Sequence, residues 1–138
     1  MSNHLSISEY KQLGDTKTVR KPRNHEEDDI TIQVAQYCEV LLLKKKITAF
    51  SHIPQETFTR SWSVKNKNKA MGVRSGVPDM LIVYPHTVLF LELKRLKGGV
   101  VSDSQKHWIE SLEKTKKVHA RVARGFNEAK KTIDDLLE

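Results

Sequence analysis

The sequence has one cysteine and no long apolar run, and each absence excludes a class of protein. Cys38 stands alone among 138 residues, so a disulfide framework and a cysteine-rich zinc site are excluded. Apolar runs such as those at residues 40–43 and 88–91 are far shorter than the roughly 18 residues that cross a bilayer. The first residues lack the apolar segment of a secretory signal. We therefore expect a cytoplasmic protein without a membrane partner.

Several sequence motifs of familiar chemistry are also missing. The six histidines include no H-E-x-x-H pair or other zinc spacing. No phosphate-binding GxxxxGK[ST] loop and no GxSxG nucleophile elbow occur. Together with the basic composition, these absences argue against an enzyme that acts on a non-nucleic substrate.

The composition is that of one globular domain with an excess of positive charge. Hydrophobic residues make up 38% and charged residues 30%, and the net charge is +7. Such a balance favours a polyanionic partner, most commonly nucleic acid. We expect a loose basic arm at residues 1–24 and a single domain at residues 25–138. Residues 60–74 contain no acid and predict an exposed basic loop, which either contacts phosphates or is simply solvated. The basic residues expected to contact DNA are Arg60, Lys65, Lys67, Lys69, Arg74 and Lys97.

Hydrophobic periodicity predicts an α+β domain. Ile30, Val34, Tyr37 and Leu41 recur at helical spacing, and Ser102 with Gln105 forms the S-x-x-Q pattern that begins a helix. The expected elements are a helix capped by Asn24 that ends near residues 44–46, strands at 47–53, 79–84 and 87–94, a helix after Ser102, a strand at 118–123 and a helix at 127–138. Their order is α-β-β-β-α-β-α, which indicates a small mixed β-sheet flanked by helices.

Two charged patterns lie at the ends of predicted neighbouring strands. Gly76-Val77-Pro78-Asp79 begins one strand and Glu92-Leu93-Lys94 ends the next. Because side chains alternate along a strand, Glu92 and Lys94 share a face with apolar neighbours, where charges are unfavourable unless paired or metal-bound. Two carboxylates at adjacent strand ends can share one Mg²⁺. The sequence therefore predicts a Mg²⁺ site at Asp79 and Glu92, with Lys94 orienting the attacking water. The alternative is a surface Glu–Lys pair and a Pro-Asp turn.

These residues resemble a known family. G-x-P-D at 76–79, E-x-K at 92–94 and S-x-x-Q at 102–105 look like the PD-(D/E)XK nuclease superfamily, and more closely its virus-type replication–repair branch, VRR-NUC. The resemblance covers roughly residues 26–128. It implies a restriction-endonuclease-like core and a metal-dependent DNA endonuclease, with Mn²⁺ as a possible substitute for Mg²⁺. Asp79 and Glu92 would be metal ligands and the Leu93 carbonyl a third.

The resemblance also implies further properties of this protein. Stand-alone viral members of the branch act as homodimers on branched DNA, which raises the Holliday junction as substrate. A short, compact version of the domain suits a phage, a virus or a mobile element. Alternatives are a site-specific homing- or restriction-like endonuclease, or a nickase. A second alternative is a non-catalytic nucleic-acid-binding module, although such a module has no need of Asp79, Glu92 and Lys94 together.

Family members carry a further glutamate on an upstream helix. At 100° per residue, Glu26 and Glu27 flank the apolar stripe of the first helix, whereas Asp28 and Asp29 face away. Family spacing favours Glu27, with Glu26 as the alternative. Gln105 lies on the helix face expected to pack on the sheet. It either contacts a metal ligand, the water or a phosphate, or serves only the capping box, and the two roles are compatible.

Overall fold

A computed structural model describes residues 25–54 and 61–138. The predicted arm at 1–24 and Arg60 lie outside these described residues. The helices are α1 (Glu26–Leu43), α2 (Trp62–Ala70), α3 (Asp103–Glu113) and α4 (Gly125–Asp134). The strands are β1 (Ala49–His52), β2 (Met80–Val83), β3 (Val88–Lys94) and β4 (His119–Arg124).

The four strands form one mixed sheet in the order β1-β2-β3-β4. The β1–β2 and β2–β3 pairs are antiparallel. A short turn joins β2 to β3, whereas the connection from β1 to β2 contains helix α2. The β3–β4 pair is parallel because α3 carries the chain back across the sheet. Met80 lies opposite Leu91, so the register places Asp79, one residue before β2, beside Glu92. The expected α+β fold with a mixed sheet and flanking helices is confirmed.

The main hydrophobic core lies between the sheet and helices α1 and α4. One face of β3 contributes Leu89, Leu91 and Leu93, each 0–1% exposed. The predicted helical stripe of α1 packs against this face, although its member Tyr37 is only partly buried. The buried residues of α1 are Ile30, Val34, Cys38 and Leu41. Burial of aliphatic side chains on one face of β3 leaves the opposite face for Phe90, Glu92 and Lys94.

Helix α3 packs against β4 on the opposite side from the main core. Ser102 is its N-cap, as predicted, and its hydroxyl accepts a hydrogen bond from the Gln105 amide. The side-chain oxygen of Gln105 in turn accepts a hydrogen bond from the Ser102 backbone amide, which completes a capping box. The beginning of α3 is therefore fixed, and it lies next to the polar end of β3.

The prediction of a basic loop at residues 60–74 was wrong over most of its length. Residues 62–70 form helix α2, whose N-cap Ser61 accepts a hydrogen bond from the Val64 amide. No residue of α2 is buried. A helix without a buried face needs no apolar stripe, and the apolar periodicity that predicts a helix is therefore missing from its sequence. None of the helices described is long and apolar enough to cross a membrane.

Candidate active site

Asp79 and Glu92 meet at the end of the β2–β3 pair. Pro78 is fully buried and precedes Asp79, whose Oδ2 accepts a hydrogen bond of 2.8 Å from the Leu93 amide. This bond extends the hydrogen-bond ladder between β2 and β3 by one step beyond Met80. The Asp79 side chain takes the place of a backbone carbonyl in that step. Burial raises the pKa of Asp79, and the Leu93 amide and the Lys94 charge oppose that rise.

Glu92 is an almost fully buried carboxyl, with 2% of its surface exposed. Its Oε2 accepts a hydrogen bond of 2.8 Å from Nε2 of Gln105. Its Oε1 is buried and has no hydrogen-bond partner among the described residues. Burial and the nearby Asp79 charge raise the pKa of Glu92 to about 8, and the Lys94 ammonium opposes this rise.

Lys94 lies on the same strand face as Glu92, two residues further along β3. Its Nζ is 3.5 Å from Oε2 of Glu92, and only 8% of the residue is exposed. A buried ammonium is unfavourable unless it is paired, and the Glu92 carboxyl supplies the partner. The end of β3 therefore holds a carboxyl and an ammonium group side by side in a partly enclosed space.

Gln105 connects helix α3 to this pair. Its Oε1 accepts the Ser102 amide at 2.8 Å while its Nε2 donates to Glu92. Gln105 thus completes the capping box and also contacts Glu92, the predicted metal ligand. The side chain is held at both ends, so its amide donor is directed at the carboxyl.

The glutamates of α1 reach the chain just after β3. Oε2 of Glu27 accepts the Arg95 amide at 3.2 Å, and Oε2 of Glu26 accepts the Leu96 amide at 3.0 Å. The charge of Glu27 also acts to raise the pKa of Asp79. A Cβ added to Gly99 would lie 3.2 Å from Oε2 of Glu27 and 3.4 Å from Cδ of Lys94. Glu27 therefore lies at the rim of the site.

The basic residues predicted to bind DNA do not form one cluster. Lys65 and Lys69 lie four residues apart on one face of α2, whereas Lys67 points about 200° away from Lys65. Arg74 lines an open cleft together with Val77 and Trp108. Lys97 is exposed in the turn after β3. Its backbone carbonyl accepts a hydrogen bond from the Arg95 guanidinium. The structure thus separates these residues into three places.

The carboxyls present fit a hard divalent cation. Within residues 25–54 and 61–138 no three acidic, histidine or cysteine side chains are close enough to hold a metal by themselves. Mg²⁺, however, is commonly bound by one or two carboxylates and several waters. Asp79 and Glu92 supply two, and the unpartnered Oε1 of Glu92 is a buried oxygen that lacks a donor. In an antiparallel pair the N–H and C=O of one residue point to the same side, so the Leu93 carbonyl is directed toward Asp79.

Sequence reasoning missed several contacts that position these groups. The Asp79 carbonyl accepts the Ile53 amide at 2.7 Å and lies 3.0 Å from Nδ1 of His52. Nε1 of Trp108 donates to the Ser75 carbonyl at 3.1 Å. A Cβ on Gly76 would lie 2.6 Å from the Ser104 carbonyl carbon. Only the glycine of the G-x-P-D pattern gave any signal in the sequence.

Comparisons with known proteins agree with this geometry. A family model described as the VRR-NUC domain matches residues 18–127, beginning inside the segment predicted as an arm. A solved structure described as a VRR_NUC domain protein shares 24% identity, covers 82% of this chain and 88% of its own, and superposes with a TM-score of 0.64. The search of curated proteins finds no match. The chain belongs to the VRR-NUC domain family, and this membership supports a nuclease activity.

Proposed function

We propose that the protein is a Mg²⁺-dependent DNA endonuclease of the PD-(D/E)XK type that hydrolyses phosphodiester bonds. The observation that carries this proposal is the group at the end of β3. There the buried Glu92 meets Asp79, Lys94 and Gln105, and one of its oxygens has no donor among the described residues. A binding module gains nothing from a buried carboxyl and a buried lysine beside a second carboxyl. Family membership supports the same conclusion.

Asp79, Glu92 and the Leu93 carbonyl would hold the cation, with Glu27 at the rim and Glu26 as the less favoured alternative. Mn²⁺ has the same preference for oxygen ligands. When bound, such a cation lowers the pKa of water and polarises a phosphoryl oxygen. The raised pKa of Glu92 means that this carboxyl must lose a proton before it can act as a ligand.

Lys94 and Gln105 act on the geometry of the reaction. The Lys94 ammonium, 3.5 Å from Glu92, would orient the attacking water and stabilise the developing negative charge. Gln105 fixes the rotamer of Glu92 through its 2.8 Å hydrogen bond. Because Gln105 is itself fixed by the capping box, Glu92 is preorganised by helix α3.

The basic residues would bind the DNA backbone. In this proposal the DNA phosphates would contact Lys65 and Lys69 on α2, Arg74 in the cleft and Lys97 in the turn after β3. Lys67 points away from its two neighbours on α2, and Arg60 lies outside the described residues. Contacts with phosphates give affinity and salt dependence without sequence recognition.

The proposed substrate is branched DNA such as a Holliday junction, and the proposed active form is a homodimer. A junction resolvase cuts two strands related by two-fold symmetry, which calls for two active sites in a symmetric pair. The catalytic unit would be the domain at 25–138, with residues 1–24 as a basic arm. Support comes from the resemblance to stand-alone viral members and from the net charge of +7.

The test is a cleavage assay on a four-way junction, a flap, a linear duplex and single strands. Each substrate is incubated with Mg²⁺, with Mn²⁺ and with chelator, and the wild type is compared with Lys94→Ala. The proposal predicts paired, metal-dependent nicks in the junction that Lys94→Ala abolishes. Cleavage confined to another substrate would keep the nuclease and replace the substrate. Tight binding without any cleavage would favour the non-catalytic module or a site-specific endonuclease whose site is absent from these substrates.

A further inference from the structure

Helix α2 carries an exposed tryptophan that no contact with the sheet explains. Trp62 is 76% exposed, although tryptophan is on average a highly buried residue. It therefore does not anchor its segment by packing. An exposed indole that is held on a helix presents a flat aromatic face to whatever binds there.

The surroundings of Trp62 are basic. Lys65 and Lys69 follow it at i+3 and i+7, so the three side chains share one face of α2. The helix contains no acidic residue. An aromatic ring flanked by cations, on a helix without acidic residues, complements a polyanion that also has flat apolar groups. Nucleic acid has both properties, whereas an apolar protein surface lacks the negative charge that would attract the lysines.

The indole face further selects the form of nucleic acid. Stacking requires an accessible base face, and in a duplex the base faces are hidden between neighbouring pairs. Unpaired bases expose theirs, and single-strand-binding surfaces combine aromatic platforms with basic side chains for this reason. The helix face of Trp62, Lys65 and Lys69 therefore matches unpaired DNA better than intact duplex.

The position of α2 links this face to the catalytic edge. The C-terminal end of α2 passes directly into the segment that lines the open cleft, where Val73 and Arg74 lie beside Trp108. Trp108 is one helical turn beyond Gln105, which contacts Glu92. Trp62 lies about 12 Å from the end of α2 at the helical rise per residue. A strand lying along α2 would thus lead through the cleft to Asp79 and Glu92.

We propose that Trp62 forms a base-stacking site for an unpaired DNA strand, with Lys69 and Lys65 on its phosphates and Arg74 in the cleft. This inference rests on the proposed nuclease function and adds to it a substrate class. The branched substrate would then be one in which bases next to the cleavage point are unpaired.

The test uses the Glu92→Gln chain, so that bound DNA stays intact. Its affinity for a labelled thymine oligonucleotide and for a blunt duplex with the same number of phosphates is measured by anisotropy. Adding Trp62→Ala should weaken binding of the oligonucleotide by about tenfold or more, the effect of losing one stacked base, and change duplex binding little. Trp62→Phe should retain most of the affinity because it keeps an aromatic face. Leu43→Ala, which removes an 84% exposed apolar residue from α1, is the matched control and should change neither.

A second measurement follows the ring itself. The chain has two tryptophans, so in a Trp108→Phe variant the emission comes from Trp62 alone. Saturable quenching by the oligonucleotide, absent with the duplex, supports the stacking site. Unchanged oligonucleotide affinity in Trp62→Ala overturns it, even if the wild type cleaves DNA. If no DNA is cleaved but Trp62-dependent binding persists, the nuclease proposal fails and the stacking site stands.

Discussion

The Gln105 amide joins the beginning of α3 to the Glu92 carboxyl, with Nε2 to Oε2 at 2.8 Å. The same side chain closes the capping box with Ser102. A helix cap is usually a local device that satisfies backbone amides. In this protein the cap also holds the buried Glu92 carboxyl in place. The beginning of α3 and the end of β3 are therefore fixed to each other.

Gln105→Ala should therefore impair cleavage more than its effect on stability explains. The change removes a donor from Glu92 and should lower the cleavage rate by about 10-fold or more, as loss of a supporting hydrogen bond at a metal site does. Ser102→Ala is the control, because it removes the cap but keeps the Gln105 side chain. Rates are compared with urea unfolding of both variants. Equal loss of rate in the two would mean that Gln105 serves only the cap.

Gly76→Ala should destabilise the protein more than Gly72→Ala. Both glycines have positive φ, +88° and +85°, so alanine at either costs about 1–2 kcal/mol in backbone conformation. At Gly76 the added Cβ would also lie 2.6–2.8 Å from the Ser104 and Gln105 backbone, whereas at Gly72 nothing lies within 4 Å. The difference in unfolding free energy between the variants isolates this contact. Equal destabilisation would show that α3 shifts without cost.

Stability without metal should fall as pH rises, because of Glu92. Its pKa is about 8 in the folded protein against an ordinary 4.5. Between these values the folded state retains a proton that the unfolded chain has lost, so this group reduces stability by up to about 1.4 kcal/mol per pH unit. The loss is complete above the folded pKa.

Glu92→Gln removes this titration, so its stability relative to wild type should increase from pH 5 to pH 9. The measurement is urea unfolding in the presence of chelator. Glu110→Gln, at an exposed position on α3, is the control and should follow the wild-type profile. A stability difference between Glu92→Gln and wild type that does not change with pH would contradict the assignment of the raised pKa.

The salt dependence of DNA binding should separate the two sides of α2. The double variant Lys65→Gln/Lys69→Gln should lower the slope of log affinity against log salt by about two, roughly one for each lost phosphate contact. Lys67→Gln, on the opposite side of the helix, should lower it less. An identical slope in the double variant and the wild type would remove this face of α2 from the DNA interface.

Much of the fold could be predicted because its signals are local. The spacing of Ile30, Val34, Tyr37 and Leu41 predicted α1. Short apolar runs next to prolines predicted the strands that meet at Asp79 and Glu92. Helix α2 was missed because no core face repeats along it. Its single local signal was Ser61, a residue type favoured at N-caps.

The positions of the candidate site residues could be predicted to the same extent. Register between neighbouring strands brings Asp79 to Glu92, and both lie in short patterns that the sequence displays. The contacts of His52 with Asp79, and of Gly76 with Ser104, depend on how loops and helices pack across 27 and 28 positions of the chain. No local pattern specifies such packing, so these supporting residues emerge only from the folded structure.

The central claim is that Asp79 and Glu92 form the catalytic metal site of a nuclease. The most direct measurement compares DNA binding and Mg²⁺-dependent cleavage for wild type, Asp79→Asn and Glu92→Gln on the same substrate. The account predicts that both variants fold and bind DNA as the wild type does, and that neither cleaves it. Cleavage at the wild-type rate by either variant would contradict the account.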